Sequence, residues 1–137
     1  MPASAAVPCA SGARSPCPIA SALDLLGDKW TLLVIRDLLF GGKKRFGDFL
    51  KAPEKIPTNI LSDRLRRLEE HGLVAKVLYA ERPPRYEYLP TEKSADLFPV
   101  LRALVEWANH HLPGTFQAPP GALDKIEERL RSAPPNP

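Results

Sequence analysis

The stretch that decides the fold is TNILSDRLRRLEEHGLV, residues 58–74. Its apolar residues gather on one side of a helix, which turns by about 100° per residue: Ile60, Leu61, Leu65 and Leu68. Thr58 is a good residue to cap the start of this helix. Gly72 predicts its end after His71, because glycine readily adopts the left-handed backbone of a helix C-terminus. The stretch therefore predicts an amphipathic helix that is followed directly by a new element at Leu73.

A β-hairpin is predicted after this helix. Every second residue of the next segment is apolar or aromatic, which is typical of one face of a strand: Leu73, Ala75, Val77 and Tyr79. Pro83-Pro84 predicts the tip of the hairpin, and Tyr86 and Tyr88 share a face of the returning strand.

Three helices are predicted before residue 58. Pro18 suits the first turn of a helix that ends at Gly27, and Asp28 can cap the next one. That second helix, residues 30–40, is apolar almost all round, so we expect it to be the buried central helix. A short third helix follows, with its apolar residues three and four positions apart within residues 46–50.

A helical period returns at Thr91 and extends to Leu112, where Pro99 either kinks the helix or ends its first segment. The order is thus three helices, a turn, a helix, a hairpin and a long helix. This order predicts a mainly α fold with a small β-hairpin (α+β), in which a winged helix-turn-helix domain carries dimerisation helices at both ends. A helix-turn-helix pattern alone is a weak signal, and the hairpin directly after the capped helix makes it sharper.

The chain has 137 residues, which suits one domain with a hydrophobic core. Of its 16 prolines, four lie in residues 1–18 and six in residues 113–137, so we expect loose tails around a folded middle. The predicted units are a flexible arm (1–16), a folded domain (17–112) and a proline-rich tail with a short amphipathic helix (113–137). No stretch is long and apolar enough to span a membrane, and no secretory signal is evident, so a cytoplasmic location is the default expectation.

Positive charge is concentrated in the middle of the chain. Residues 29–88 carry five more Lys and Arg than Asp and Glu, although the whole chain has a net charge of only +3. Such a surplus permits a polyanionic partner without requiring one.

The polar side of the helix in residues 58–71 is a candidate DNA-reading surface. Its polar residues are Thr58, Asn59, Ser62, Asp63, Arg66 and Arg67. Asn pairs with adenine and Arg with guanine in the major groove, whereas Thr and Ser suit phosphate contacts near a helix N-terminus. Further cations flank this helix as candidate phosphate contacts: Lys43, Lys44 and Arg45 before it, and Arg82 and Arg85 at the hairpin tip. An ordinary solvated helix face with solubilising charges is the alternative.

Arg64 is the exception on this helix, because its angular position falls on the apolar flank. We expect its stem to pack on the core and its guanidinium to pair with a carboxylate or a phosphate.

Several segments closely resemble HxlR-type winged helix-turn-helix transcriptional regulators, which belong to the MarR-like superfamily. The matching segments are Cys17-Pro18-Ile19, Leu25 to Leu33, Arg45 to Phe49, Leu61 to Leu65, Leu68 to Val74, Pro83 to Tyr88, Pro99-Val100-Leu101 and Trp107. They cover about residues 17–112 in order and with natural spacing. The chain departs from the family pattern at Pro90, Lys93 and Ser94, where apolar residues or glycine are common.

The resemblance implies a bacterial, homodimeric regulator that binds double-stranded DNA and whose first and last helices form the dimer. The residues themselves favour a dimer too, since the last helix carries a wider apolar band than one small core can cover. The candidate interface residues are Ile19, Leu23, Leu26, Leu97, Leu101, Leu104, Val105 and Ala108. The alternative is that this band only covers its own domain.

Cys17 is a candidate sensor of oxidants, electrophiles or a small-molecule effector. The resemblance implies this role, because some family members sense such signals through a cysteine at the matching position. Unpaired N–H groups at the start of the first helix also favour a thiolate there. The alternative is a small packing residue.

Other function classes receive little support from the sequence. Gly41-Gly42-Lys43-Lys44 lacks the spacing of a phosphate loop, and Cys9, Cys17 and the histidines lack zinc-ligand spacing. We therefore expect no enzyme activity, no metal and no cofactor. A winged helix that binds a protein instead of DNA remains the alternative function.

Overall fold

The computed structural model describes residues 14–42 and 44–132, which form seven helices and one three-stranded sheet. The elements are α1 (Pro18–Leu26), α2 (Thr31–Gly41), β1 (Lys44–Arg45), α3 (Phe46–Phe49), α4 (Thr58–Glu70), β2 (Val74–Glu81), β3 (Pro84–Pro90), α5 (Glu92–Ala95), α6 (Phe98–His111) and α7 (Ala122–Ser132). The mainly helical class with a small β element is confirmed, and the β2–β3 hairpin directly after α4 forms the wing.

α2 is the central helix, as its nearly continuous apolar sequence predicts. Ile35, Leu38 and Leu39 are fully buried in it. The core that surrounds α2 draws residues from most of the other elements: Leu26, Phe49, Ile56, Leu61, Leu65, Leu68, Leu73, Val74, Phe98 and Leu101.

Asp28 caps the start of α2, as predicted. Its Oδ2 accepts hydrogen bonds from the backbone N–H groups of Trp30 (3.0 Å) and Thr31 (3.2 Å). The carboxylate thus satisfies amide groups that have no partner inside the helix.

The sheet has a third strand that the sequence did not predict. The strand order is β1-β3-β2, all antiparallel, with Lys44 opposite Tyr88 and Arg45 opposite Glu87. A strand of two residues is too short to show alternation, so only the pairing with β3 reveals β1. It joins the segment before α3 to the root of the wing.

The junction after the wing explains two of the departures from the family pattern. Ser94 is fully buried, and its backbone N–H donates to Thr91 Oγ1 while its hydroxyl bonds back to Thr91, so the pair caps α5. Lys93 Nζ donates to the His71 carbonyl at 2.7 Å, beyond the end of α4. Pro99 lies in the first turn of α6, so it marks the boundary between two helices and does not kink one.

The described end of the C-terminal segment packs on the domain, and the described N-terminal end contacts α1. Arg14 forms an ion pair with Asp24 of α1 (2.6 Å), although residues 1–13 of the predicted arm lie outside the described part. The predicted amphipathic helix of the tail is α7, and its apolar residues pack against the core: Leu123, Ile126 and Leu130. Arg129 of α7 also donates to the carbonyls of Leu39 and Phe40 at the end of α2.

Candidate nucleic-acid interface

α4 has one buried and one exposed face, as its periodicity predicts. Leu61, Leu65 and Leu68 are at most 3% exposed. The opposite face presents Thr58, Asn59, Ser62 and Arg66 to solvent. The helix therefore rests on α2 and offers a polar surface that can face a ligand.

The first turn of α4 has no side-chain cap. The helix begins at Thr58, after Pro57 in the capping position, so the prediction of Thr58 as the N-cap is wrong by one residue. Leu61 N–H is the first amide to bond back, to the Pro57 carbonyl at 2.9 Å. The preceding amides and the positive end of the helix dipole favour an anion at this end.

An ion pair sets the position of α4 on the domain. Arg64 Nε donates to Asp28 Oδ2 at 2.9 Å, which confirms the expected pairing of Arg64 with a carboxylate. Burial raises the pKa of Asp28, but hydrogen bonds from Thr31 and Arg64 outweigh burial and lower that pKa to about 2. Asp28 is therefore ionised at neutral pH and links the cap of α2 to α4.

Arg66 is exposed and bound to two carboxylates of its own helix. Its Nη2 donates to Asp63 (2.8 Å) and its Nη1 to Glu70 (3.1 Å). The side chain is 60% exposed, so the guanidinium lies on the solvent face of α4 even while it is paired.

Arg67 occupies a different environment from the one that the helical period suggests. It is half-buried, and its Nη2 donates to the Asp24 backbone carbonyl of α1 at 3.1 Å. The guanidinium of Arg67 thus joins α4 to α1. This contact directs the Arg67 side chain away from the polar face that carries Arg66.

The described cations of the predicted flanking set lie on the wing and on the strand that pairs with it. Lys44 and Arg45 form β1, which pairs with β3 of the wing, while Lys43 lies outside the described residues. The Arg45 guanidinium stacks 4.2 Å from the Tyr79 ring of the wing and pairs with Glu87 (3.4 Å). Arg82 and Arg85 are exposed at the wing tip.

Lys76 is a basic residue that the sequence reasoning missed. It lies on β2, and its Nζ is 4.3 Å from the centre of the Tyr86 ring on β3. The sequence could have indicated this residue, because Lys76 interrupts the apolar stretch of β2 at a position that shares a face with the tyrosines of β3. The wing thus adds a cation between α4 and the wing tip.

An apolar surface remains uncovered on α1 and α6. Ile19 and Leu23 of α1 are 71% and 52% exposed, and Leu104 of α6 is 48% exposed. Pro99, Val100, Ala103, Leu104 and Trp107 line an open apolar groove on α6. Single exposed apolar residues are common, but a contiguous group marks an interaction site.

Some candidate interface residues belong to the core of the protomer. Leu26 and Leu101 are only 8% and 6% exposed and pack in the central cluster, so they cannot face a partner as expected. The reason is that both side chains belong to the hydrophobic cluster that surrounds α2. Leu97, Val105 and Ala108 are half-buried at the border of the uncovered surface.

Cys17 lies directly before α1 and is exposed. Its N–H donates to Ser15 Oγ (3.2 Å) and its carbonyl accepts from Ser21 N–H (2.9 Å), so the backbone at this residue is fixed. The thiol is thus exposed at the start of α1, the helix that also carries exposed Ile19 and Leu23.

Among residues 14–42 and 44–132, no three His, Cys, Asp or Glu side chains are grouped as a metal site requires. In the same residues no helix is both long and apolar enough to cross a bilayer.

Known proteins with similar sequences and structures support the resemblance seen in the sequence. The family model of HxlR-like helix-turn-helix proteins matches residues 25–115. The uncharacterized HTH-type transcriptional regulator sll1512 of Synechocystis is 44% identical over 88 residues, which cover 64% of each chain. A Mycobacterium bovis relative is 43% identical over 95 residues, which cover 69% of this chain. The matched segments span only 64% and 59% of these two relatives' lengths.

Two solved structures share the architecture. The redox regulator HypR in its reduced form has a TM-score of 0.65 and 32% identity, over 71% of this chain and 95% of that one. The reduced form of the transcriptional regulator YodB from B. subtilis has a TM-score of 0.60 and 31% identity, over 74% of this chain and 100% of that one.

Proposed function

Because the chain belongs to the HxlR-like helix-turn-helix family, we propose that it is a DNA-binding transcriptional regulator. It binds an inverted-repeat operator as a homodimer. The observation that carries the proposal is the exposed polar face of α4, which the wing follows directly, with exposed cations at the wing tip and on β1, the strand that pairs with the wing.

α4 is the helix that enters the major groove. Its 13 residues make a rod roughly 20 Å long, and its buried leucines leave the opposite face free. Asn59 and Arg66 contact base edges, since these side chains can each make two hydrogen bonds to adenine and guanine respectively. Thr58 and Ser62 bind backbone phosphate near the uncapped helix N-terminus.

Backbone phosphates are bound by the cations of the β1 segment and of the wing. These are Lys43, Lys44 and Arg45 before α3, and Arg82 and Arg85 at the wing tip. These contacts fix the position of α4 but are independent of base sequence, so they make the affinity depend on salt.

The homodimer buries the uncovered apolar surface of α1 and α6. Ile19, Leu23, Leu104 and Trp107 supply its centre, and all four are too exposed in the single chain to stabilise the protomer. Two-fold symmetry would place two copies of α4 on successive major grooves about 34 Å apart. The operator is therefore expected to be an inverted repeat.

Regulation acts through Cys17. Its exposure supports this role, as does its place at the start of α1, a helix of the proposed dimer surface. Structural neighbours include a redox regulator solved in reduced and oxidised forms, and a regulator solved reduced and diamide-treated. An adduct on Cys17, or a small effector bound beside it, would change the angle between protomers and misplace one α4 on the operator.

In this proposal the protein has no enzyme activity. It acts in the bacterial cytoplasm, where its operator lies. Residues 17–112 form the DNA-binding unit, and residues 113–137 add α7 to it. This division is supported by the family model, which ends at residue 115.

Selection of bound duplexes from fragmented genomic DNA tests the proposal. We expect enrichment of an inverted repeat with half-site centres 10 to 11 base pairs apart, or a multiple of that spacing. Failure of the full chain to retain any duplex at low salt would contradict it. That result, with an intact dimer, would favour the winged helix as a protein-binding module.

A further inference from the structure

Five charged side chains form a continuous series along α4. Asp28 accepts from Arg64, Arg64 Nη1 donates to Asp63 Oδ2 (2.6 Å), and Arg66 Nη2 donates to Asp63 Oδ1 (2.8 Å). Arg66 Nη1 then donates to Glu70 (3.1 Å). The series runs from the capping loop before α2 to the solvent face of α4.

The two carboxylates that hold Arg66 differ in how they are fixed. Asp63 uses one oxygen for Arg64 and the other for Arg66, and Arg64 is itself held by the partly buried Asp28. Glu70 lies in the last turn of α4, its side chain is 58% exposed, and it pairs with Arg66. Asp63 is therefore a rigid anchor, whereas Glu70 is free to change rotamer.

The guanidinium of Arg66 has donors to spare for a base. An arginine carries five N–H groups, and Asp63 and Glu70 take one each. The three that remain suffice for the two hydrogen bonds that a guanine edge accepts. Arg66 can thus stay bound to its anchor while it reads DNA.

Building on the proposed DNA-binding function, we propose that Asp63 is a positioning residue that orients Arg66 for base reading and makes no DNA contact itself. A carboxylate facing the duplex would repel its phosphates, and both Asp63 oxygens already have arginine partners. The hydrogen bond from Arg66 is the largest influence on the pKa of Asp63. Burial opposes it, but with the bond from Arg64 it leaves that pKa below its usual value, so Asp63 is charged at neutral pH. This reassigns Asp63 from the DNA-contacting set to a supporting one.

Because Asp63 holds Arg66 before DNA binds, the size of the gain in affinity can be predicted. A long side chain that is held before binding loses less rotamer entropy when it meets the base, which corresponds to roughly a threefold to tenfold gain in affinity. The gain applies only where Arg66 finds its base, so it appears as discrimination between sequences. Binding to unrelated DNA does not need this orientation.

The test compares Asp63→Asn with the matched variant Glu70→Gln. Each removes one negative charge from a carboxylate that binds Arg66, so both raise nonspecific affinity similarly. Dissociation constants are measured on the selected operator and on a duplex changed at the base pair where Arg66→Ala loses discrimination. Thermal unfolding checks that both variants are folded.

We expect Asp63→Asn to lose discrimination by about threefold to tenfold, and Glu70→Gln to keep it within about twofold. Asp63→Glu, which restores the charge, should recover part of the loss. Full discrimination in Asp63→Asn, or an equal loss in both variants, would overturn the inference. If the parent binds no duplex, the proposed function fails and the inference falls with it. If the parent discriminates and only the Asp63 result is negative, the function stands.

Discussion

Arg64 of α4 donates to Asp28 in the loop before α2, with 2.9 Å between Nε and Oδ2. The Asp28 carboxylate also accepts hydrogen bonds from the first backbone amides of α2. One carboxylate therefore fixes both the start of the central helix and the position of the candidate recognition helix. Because both side chains are less than one-third exposed, the pair is screened less than a surface ion pair. The placement of the DNA-reading surface thus depends on a contact that lies away from DNA.

Replacing Asp28 by Asn should lower the free energy of unfolding by roughly 2 kcal/mol at pH 7, as a folded-state pKa of about 2 implies against an ordinary 3.8. A depressed pKa gives stability that is present above pH 4 and lost as the pH falls towards 2. The difference between parent and variant should shrink over that range. Urea unfolding at several pH values measures it.

Asp24→Asn is the control for this prediction, because it breaks the exposed pair with Arg14 and should change stability little. A constant difference between the parent and Asp28→Asn from pH 7 to pH 2 would contradict the account.

Replacing Arg129 by Ala should cost about 1 kcal/mol of stability. The side chain donates to the carbonyls of Leu39 and Phe40 in the last turn of α2, and it fixes α7 there. Arg131→Ala is the matched control, since Arg131 pairs with Glu127 of its own helix. Equal urea midpoints for the two variants would show that α7 contributes nothing through Arg129.

Replacing Leu104 by Lys should dissociate the proposed homodimer, because it puts a charge into the centre of an apolar interface. Leu78→Lys is the control, as Leu78 is similarly exposed (44% against 48%) but lies on the wing. Sedimentation velocity at micromolar concentration should find Leu104→Lys monomeric, and the parent and Leu78→Lys dimeric. A dimeric Leu104→Lys would place the interface elsewhere.

Treatment with a thiol-reactive quinone should lower the operator affinity of the parent by about tenfold, the size of a typical allosteric coupling. Cys17→Ser should keep its affinity under the same treatment, whereas Cys9→Ser should respond as the parent does. Mass spectrometry locates the adduct. Full affinity in a parent that carries the adduct on Cys17 would rule out a switch at Cys17.

Sequence periodicity predicted the elements that depend on local chemistry. The two faces of α4, the buried α2, the hairpin with Pro83 at its tip and the helix boundary at Pro99 are all confirmed. Each follows from the spacing of apolar residues or from the fixed backbone of proline.

Features that depend on the tertiary partner were not predictable. β1 has only two residues, and its pairing with β3 requires the assembled sheet. The period of α7 shows an amphipathic helix but not that α2 covers it. Likewise, the apolar band of α6 does not reveal that Leu101 faces the core while Leu104 faces solvent. For the same reason, the sequence did not predict that Arg67 would leave the polar face of α4 and donate to a backbone carbonyl of α1.

The most direct test of the central claim is the binding of Arg66→Ala and Arg82→Ala to the selected operator and to a scrambled duplex over a range of salt concentrations. Arg66→Ala should weaken operator binding by roughly 1–3 kcal/mol and leave scrambled DNA little changed. Arg82→Ala should weaken both duplexes alike and reduce the salt slope by about 1. An Arg66→Ala protein that distinguishes the two duplexes as well as the parent does would contradict the assignment of α4 as the DNA-reading helix.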